Sequence, residues 1–121
     1  MRETILIVED YEDTRLLMKF LLESYGYNAI EASNGREAVE TAKQEHPDLI
    51  LMDISMPIMD GLTATRIIRK SYCADDIPII ALTAFGHSFY KEALEAGCND
   101  LIDKPINFDE LEPVLNQYLP P

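Results

Sequence analysis

Short apolar runs along the chain alternate with longer stretches in which apolar residues recur every three or four positions. The first run, Ile5, Leu6, Ile7 and Val8, is continuous rather than alternating. Such a run suits a strand buried on both faces, as in a parallel sheet covered by helices. Residues 13–23 place Leu17, Met18, Leu21 and Leu22 at helical spacing, and Gly26 stands where a C-cap would end that helix. Residues 28–32 make a weaker, edge-like strand. Asn34 and Gly35 signal a turn, and residues 36–45 read as a helix with Ala38, Val39 and Ala42 on one face. Pro47 closes it, because the residue before a proline, His46, avoids the helical region.

Leu49, Ile50, Leu51 and Met52 form a third strand that runs into Asp53, followed by a loop over residues 54–61. Residues 62–70 read as a helix with Ile67 and Ile68 inward. Pro78 opens a fourth strand over 79–82, which ends at Thr83. A helix over 88–96 is closed by Gly97, and a short fifth strand over 101–103 leads to Lys104 and Pro105. Residues 109–119 form the last helix, whose first turn Pro113 is expected to set apart. Pro120 and Pro121 make a tail. Five strands alternating with five helices predict an α/β fold: a parallel sheet with helices on both faces and right-handed crossovers.

The 121 residues fit one domain, 1–121, large enough to bury roughly two-thirds of its unfolded surface. The net charge of −12, from 22 acidic and 10 basic side chains, argues against nucleic acid or a membrane surface as partner, since both need clustered Lys and Arg. The apolar start soon meets Glu9 and Asp10, so it reads as neither a signal peptide nor a membrane span. Cys73 and Cys98 read as free thiols in a reducing compartment, which points to the cytoplasm.

The informative polar residues fall at strand ends. Glu9 and Asp10 follow the first strand, Asp53 the third, Thr83 the fourth and Lys104 the fifth. In open α/β sheets, sites form outside the carboxyl ends of the strands, where strand order reverses. Three carboxylates gathered there repel one another and need compensation. Mg²⁺ supplies it with oxygen ligands and retained waters. A carboxylate beside such a cation can attack a phosphoryl donor. A Lys ammonium, a Thr hydroxyl and backbone N–H groups can then hold the phosphoryl oxygens.

The residues Ile7, Val8, Glu9, Asp10; Leu51 through Gly61; Ala81, Leu82, Thr83, Ala84; and Gly97 with Asp103, Lys104, Pro105, Ile106 together resemble the response-regulator receiver family over essentially the whole chain. The resemblance implies a flavodoxin-like, doubly wound sheet of order 2-1-3-4-5. It implies Asp53 as phosphoacceptor, Mg²⁺ held by Glu9, Asp10, Asp53 and the Ser55 backbone carbonyl, and Thr83 and Lys104 as phosphoryl-binding groups. It also implies a cis bond before Pro105 and a tight turn at Gly61. The implied role is a phosphorylation switch that self-phosphorylates and autodephosphorylates rather than a conventional turnover enzyme. Its partners would be a histidine kinase or histidine phosphotransfer protein, and an effector bound by the surface of the fourth helix, fifth strand and fifth helix. One departure is Leu101, where the family commonly carries an aromatic three residues before the lysine.

The remaining candidates read as bland. His46 is expected in solvent and His87 on the surface. Met52, Met56 and Met59 read as packing filler. Phe85, two residues past Thr83, could shield a phosphoryl group or lie in an interface with Phe89 and Tyr90. Arg15, Arg66 and Arg69 read as ordinary helix-surface charges. An aspartate-nucleophile phosphohydrolase would need a second acid where Ser55 stands. A flavodoxin-like carrier would need a phosphate-binding loop after the first strand, and no glycine-rich one follows it.

Overall fold

The computed structural model describes residues 2–55, 59–72, 76–84 and 86–119. The expectations placed on Met56, Cys73, Phe85, the His87 side chain and the tail at Pro120 and Pro121 lie outside the described residues and side chains. The elements are β1 (Thr4–Val8), α1 (Glu12–Ser24), β2 (Asn28–Ala32), α2 (Gly35–Glu45), β3 (Leu49–Asp53), α3 (Gly61–Arg69), β4 (Ile79–Thr83), a 3-10 turn (Gly86–Phe89), α4 (Tyr90–Ala96), β5 (Asp100–Asp103) and α5 (Phe108–Tyr118). The strands form one parallel sheet in the order β2-β1-β3-β4-β5. It is the flavodoxin-like arrangement, and the order reverses beside β1 and β3.

Strand alternation divides the core in two. Leu6 and Val8 of β1, Ile50 and Met52 of β3, Ile79 and Ala81 of β4, and Leu101 of β5 meet the buried faces of α2, α3 and α4. Ile5 and Ile7, Leu49 and Leu51, Ile80 and Leu82, and Ile102 meet α1 and α5. The helices answer with matching stripes: Met18 and Leu22 on α1, and Leu111 and Leu115 on α5, are buried one turn apart.

Several local expectations are revised. Asn34 is the N-cap of α2 rather than part of a free turn; its side-chain oxygen accepts from Glu37 N at 2.9 Å. His46 is exposed, as expected, but it leaves the helical region through a left-handed conformation (φ 46°) and its Nδ1 lies 3.2 Å from the Tyr72 hydroxyl. The fourth helical stretch is split. A 3-10 turn precedes α4, which has only the small residues Ala93 and Ala96 buried as anchors. Pro113 does not set the first turn of α5 apart. That turn is closed before the proline is reached, by Glu110 N and Leu111 N on the Asn107 carbonyl, both at 3.0 Å. Pro113 faces solvent, and the fully buried Leu111 and Leu115 bind both halves of the helix to one core. Gly61 is required by space rather than by a left-handed turn: a Cβ there would collide with the Asp53 carbonyl oxygen.

Candidate functional site

The carboxyl edge of the sheet, beside the reversal of strand order, gathers the charged groups. Glu9 prolongs β1 by one residue, its N–H bonding the Ala32 carbonyl at 3.1 Å. Its side chain continues the parity of Ile5 and Ile7, toward the α1–α5 face. Asp53 has the same parity on β3, after Leu49 and Leu51, and Lys104 has it on β5, after Ile102. The shared parity makes the three meet. Lys104 Nζ donates to Glu9 Oε1 at 2.6 Å and to Asp53 Oδ2 at 3.0 Å. The other Asp53 oxygen accepts from Ser55 N at 3.0 Å, and Glu9 Oε2 accepts from Tyr11 N at 3.2 Å. The Lys104–Pro105 peptide is cis.

Glu9 and Asp53 are almost wholly buried, at 1% and 2% exposure, while Asp10 is exposed at the mouth. Each of the three acids offers one oxygen, and these lie within 4.8 Å of one another. Three carboxylates face one ammonium, so the cluster retains about two negative charges when ionised. An all-oxygen donor set with that excess fits Mg²⁺, which needs few protein ligands. Burial by itself would depress the Lys104 ammonium, but its hydrogen bonds to Glu9 and Asp53, and their charges, outweigh burial and raise its pKa above the ordinary lysine value. The cluster opens into a cleft of about 640 Å³ whose other bank is apolar, with Leu17 and Leu21 of α1 and Ile106.

The response regulator receiver domain model matches residues 5–116. The chain belongs to this family. A curated relative, the polar-differentiation response regulator DivK of Brucella ovis, is 38% identical over 98% of both chains. Among solved structures, the receiver domain of a Pseudomonas aeruginosa sensor histidine kinase, crystallised with magnesium in its active-site cleft, is 36% identical over 98% of each chain, with a TM-score of 0.88. The receiver domain of a Saccharomyces cerevisiae response regulator, co-crystallised with a histidine phosphotransfer signalling protein, is 30% identical, covers 97% of this chain and 88% of its own, and has a TM-score of 0.87.

This receiver domain is therefore a component of two-component signalling, with Mg²⁺ as the cofactor that fits its acidic cluster. No helix among the described residues is long and apolar enough to cross a membrane. Thr83 lies where the receiver motif expects a hydroxyl, at the end of β4. It has the parity of Ile79 and Ala81, opposite to that of Asp53, and is fully buried. A backbone bond joins it to the cluster, Lys104 N donating to the Thr83 carbonyl at 2.7 Å. Leu101 is buried among the α2–α4 core residues. Met52 is core and Met59 packs against it, as filler should.

Two of the arginines are not ordinary surface charges. Arg15 bonds Glu31 and the Glu9 carbonyl, and Arg69 bonds groups at the opposite edge of the sheet. Arg66 alone is the exposed charge that its position on a helix suggested. Residue type and helical position cannot reveal these partners, which come from other strands and loops. The one sequence signal was Gly97, needed partly because the Arg69 side chain packs against it.

Proposed function

We propose that Asp53 is the phosphoacceptor, that Glu9, Asp10, Asp53 and the Ser55 carbonyl hold Mg²⁺, and that Thr83 and Lys104 take the phosphoryl oxygens. The observation that carries this reading is the convergence of three carboxylates and one ammonium on a single cleft. An Asp53 oxygen attacks phosphorus in line while the P–N bond to a donor phosphohistidine breaks, and the electron pair leaves with the imidazole nitrogen. Bound Mg²⁺ supplies charge neutralisation on the phosphoryl oxygens. Lys104, already on Asp53 Oδ2, needs little movement to follow the new charge. Ser55 N is poised on the other Asp53 oxygen.

The new phosphoryl group adds about −1.5 to −2 charge. Drawing the buried Thr83 hydroxyl toward it moves the end of β4. The Lys104 N to Thr83 carbonyl bond passes that shift to β5. The relay then runs through backbone, with the aliphatic Leu101 following in the core rather than an aromatic ring swinging.

The donor is a histidine kinase or histidine phosphotransfer protein, as the yeast relative's co-crystal supports. It reaches Asp53 through the cleft, whose apolar α1 bank continues to Phe20, 74% exposed. The effector binds the face of α4, β5 and α5, where Tyr90 and Leu94 are exposed. The reaction takes place in the cytoplasm, a reducing compartment in keeping with the free, buried thiol of Cys98. Incubation with labelled acetyl phosphate and Mg²⁺ tests the assignment. The native chain becomes labelled and Asp53→Asn does not; undiminished labelling of that variant refutes Asp53.

A further inference from the structure

Asp10 differs from the other acids of the cluster in how it is held. Glu9 and Asp53 are fixed by Lys104 and by backbone N–H groups. Asp10 is exposed and makes no side-chain hydrogen bond or ion pair among the described residues. Its direction into the cleft is set by the backbone that precedes it. The Glu9 N–H is tied to Ala32 of β2. The Glu9 carbonyl, which belongs to the peptide unit leading into Asp10, accepts from Arg15 Nη1 at 2.9 Å.

Arg15 is built to hold that carbonyl. Its own N–H closes the first turn of α1 on the Tyr11 carbonyl at 3.0 Å. Helical side chains lean toward the N-terminus, so Arg15 covers the loop that leads into the helix. The guanidinium is aimed by Glu31 of β2, whose Oε1 lies 3.0 Å from Arg15 Nε, and Lys19 binds the other Glu31 oxygen at 3.4 Å. The planar fork thus spans β2 and the β1–α1 loop in one rigid piece. Arg15 is largely buried there, with 16% of its side chain exposed.

We infer that Arg15 is a positioning residue of the magnesium site: it fixes the Glu9–Asp10 peptide plane and so aims the Asp10 carboxylate at the metal. This rests on the acidic cluster being the Mg²⁺ site. The sign of the effect separates positioning from simple electrostatics. Arg15 is a cation near a cation site, so by Coulomb's law alone its removal tightens Mg²⁺. Loss of positioning weakens it. Partners that orient metal ligands are typically worth 10–100-fold in affinity.

Calorimetric Mg²⁺ titration of the native chain, Arg15→Met, Arg15→Lys and Glu31→Gln tests this. Arg15→Met is expected to weaken Mg²⁺ about 10-fold and to raise by the same factor the Mg²⁺ concentration giving half-maximal labelling by acetyl phosphate. Arg15→Lys recovers part of the loss, since an ammonium can reach one of the two partners. Unchanged or tighter binding by folded Arg15→Met overturns the inference. Should Arg15→Met fail to fold, Glu31→Gln keeps the guanidinium but frees its fork, and unchanged affinity there overturns it equally. A native chain that takes up no Mg²⁺ overturns the site itself, and Arg15's role with it.

Discussion

The two edges of the sheet use charge in opposite ways. At the amino edge, Arg69 at the end of α3 donates to a row of neutral acceptors. Its Nε donates to the Gly97 carbonyl at 2.8 Å, its Nη1 to the carbonyls of Ile77 at 2.7 Å and Tyr72 at 3.3 Å, and its Nη2 to Asn99 Oδ1 at 2.8 Å. Asn99 Oδ1 also accepts from Ile79 N at 2.9 Å. One cation there ties together the α3–β4 connection, the end of α4 and the start of β4. At the carboxyl edge the charges are mostly negative and incompletely balanced, three carboxylates to one ammonium. A polar cluster that satisfies itself holds a fold together. One left with net charge in a cleft asks for an ion or a reacting group.

Removing Lys104 at one edge and Arg69 at the other should therefore give opposite phenotypes. Lys104→Met is expected to slow labelling of Asp53 by acetyl phosphate about 100-fold at saturating Mg²⁺, the usual cost of deleting one donor to a charge that builds in the transition state. The same change removes a positive neighbour from the metal site, so Mg²⁺ binds no more weakly than in the native chain. A labelling rate within a few-fold of native would move Lys104 out of the site and make its contacts structural, like those of Arg69.

Arg69→Met should do the converse. Several charge-assisted bonds are lost and buried carbonyls are left unpaired, which costs about 3 kcal/mol. That corresponds to a fall in Tm of about 10 °C for a domain of this size. Labelling per folded molecule at 20 °C stays at the native rate. Thermal melts followed by circular dichroism, with labelling normalised to folded protein, give both numbers. A large loss of labelling with an unmoved Tm would erase the distinction between the edges.

The carboxyl edge was largely legible in the sequence because its acids and its lysine each follow a recognisable strand. Glu9, Asp53 and Lys104 could be placed together without knowing a single contact. Thr83 stands at a strand end too, with the opposite parity, and is fully buried there. The amino edge was illegible. Arg69, Asn99 and Gly97 come from helix ends and loops, where neither period nor motif predicts a partner. Arg15 was hidden for the same reason, since its acceptor is a main-chain carbonyl. Pro113 was misjudged from its local penalty; burial of Leu111 and Leu115 on either side decided the matter.

Alkaline titration sharpens the contrast most finely, because only one of the two cations can lose its charge. Arg69 stays protonated throughout the accessible range. Lys104 has its pKa raised in the folded state by Glu9 and Asp53, against the opposing effect of burial. A raised lysine stabilises the fold fully below the unfolded value of about 10.4 and loses that contribution as pH climbs through the folded value. Tyr25, Tyr27 and Tyr118 complicate the raw curve. Their hydroxyls are raised by burial and then by nearby carboxylates. A tyrosine raised on folding also costs stability above about pH 10, because the unfolded chain ionises more readily. Those tyrosines are shared by every variant, so differences between variants cancel them. In urea unfolding from pH 9 to 11.5, the stability gap between the native chain and Lys104→Met should narrow, while the gap to Arg69→Met stays level. A Lys104 gap that holds constant or widens would mean that its ammonium gains nothing from the two carboxylates in the fold, and the carboxyl edge would have to be read without its central ion pair.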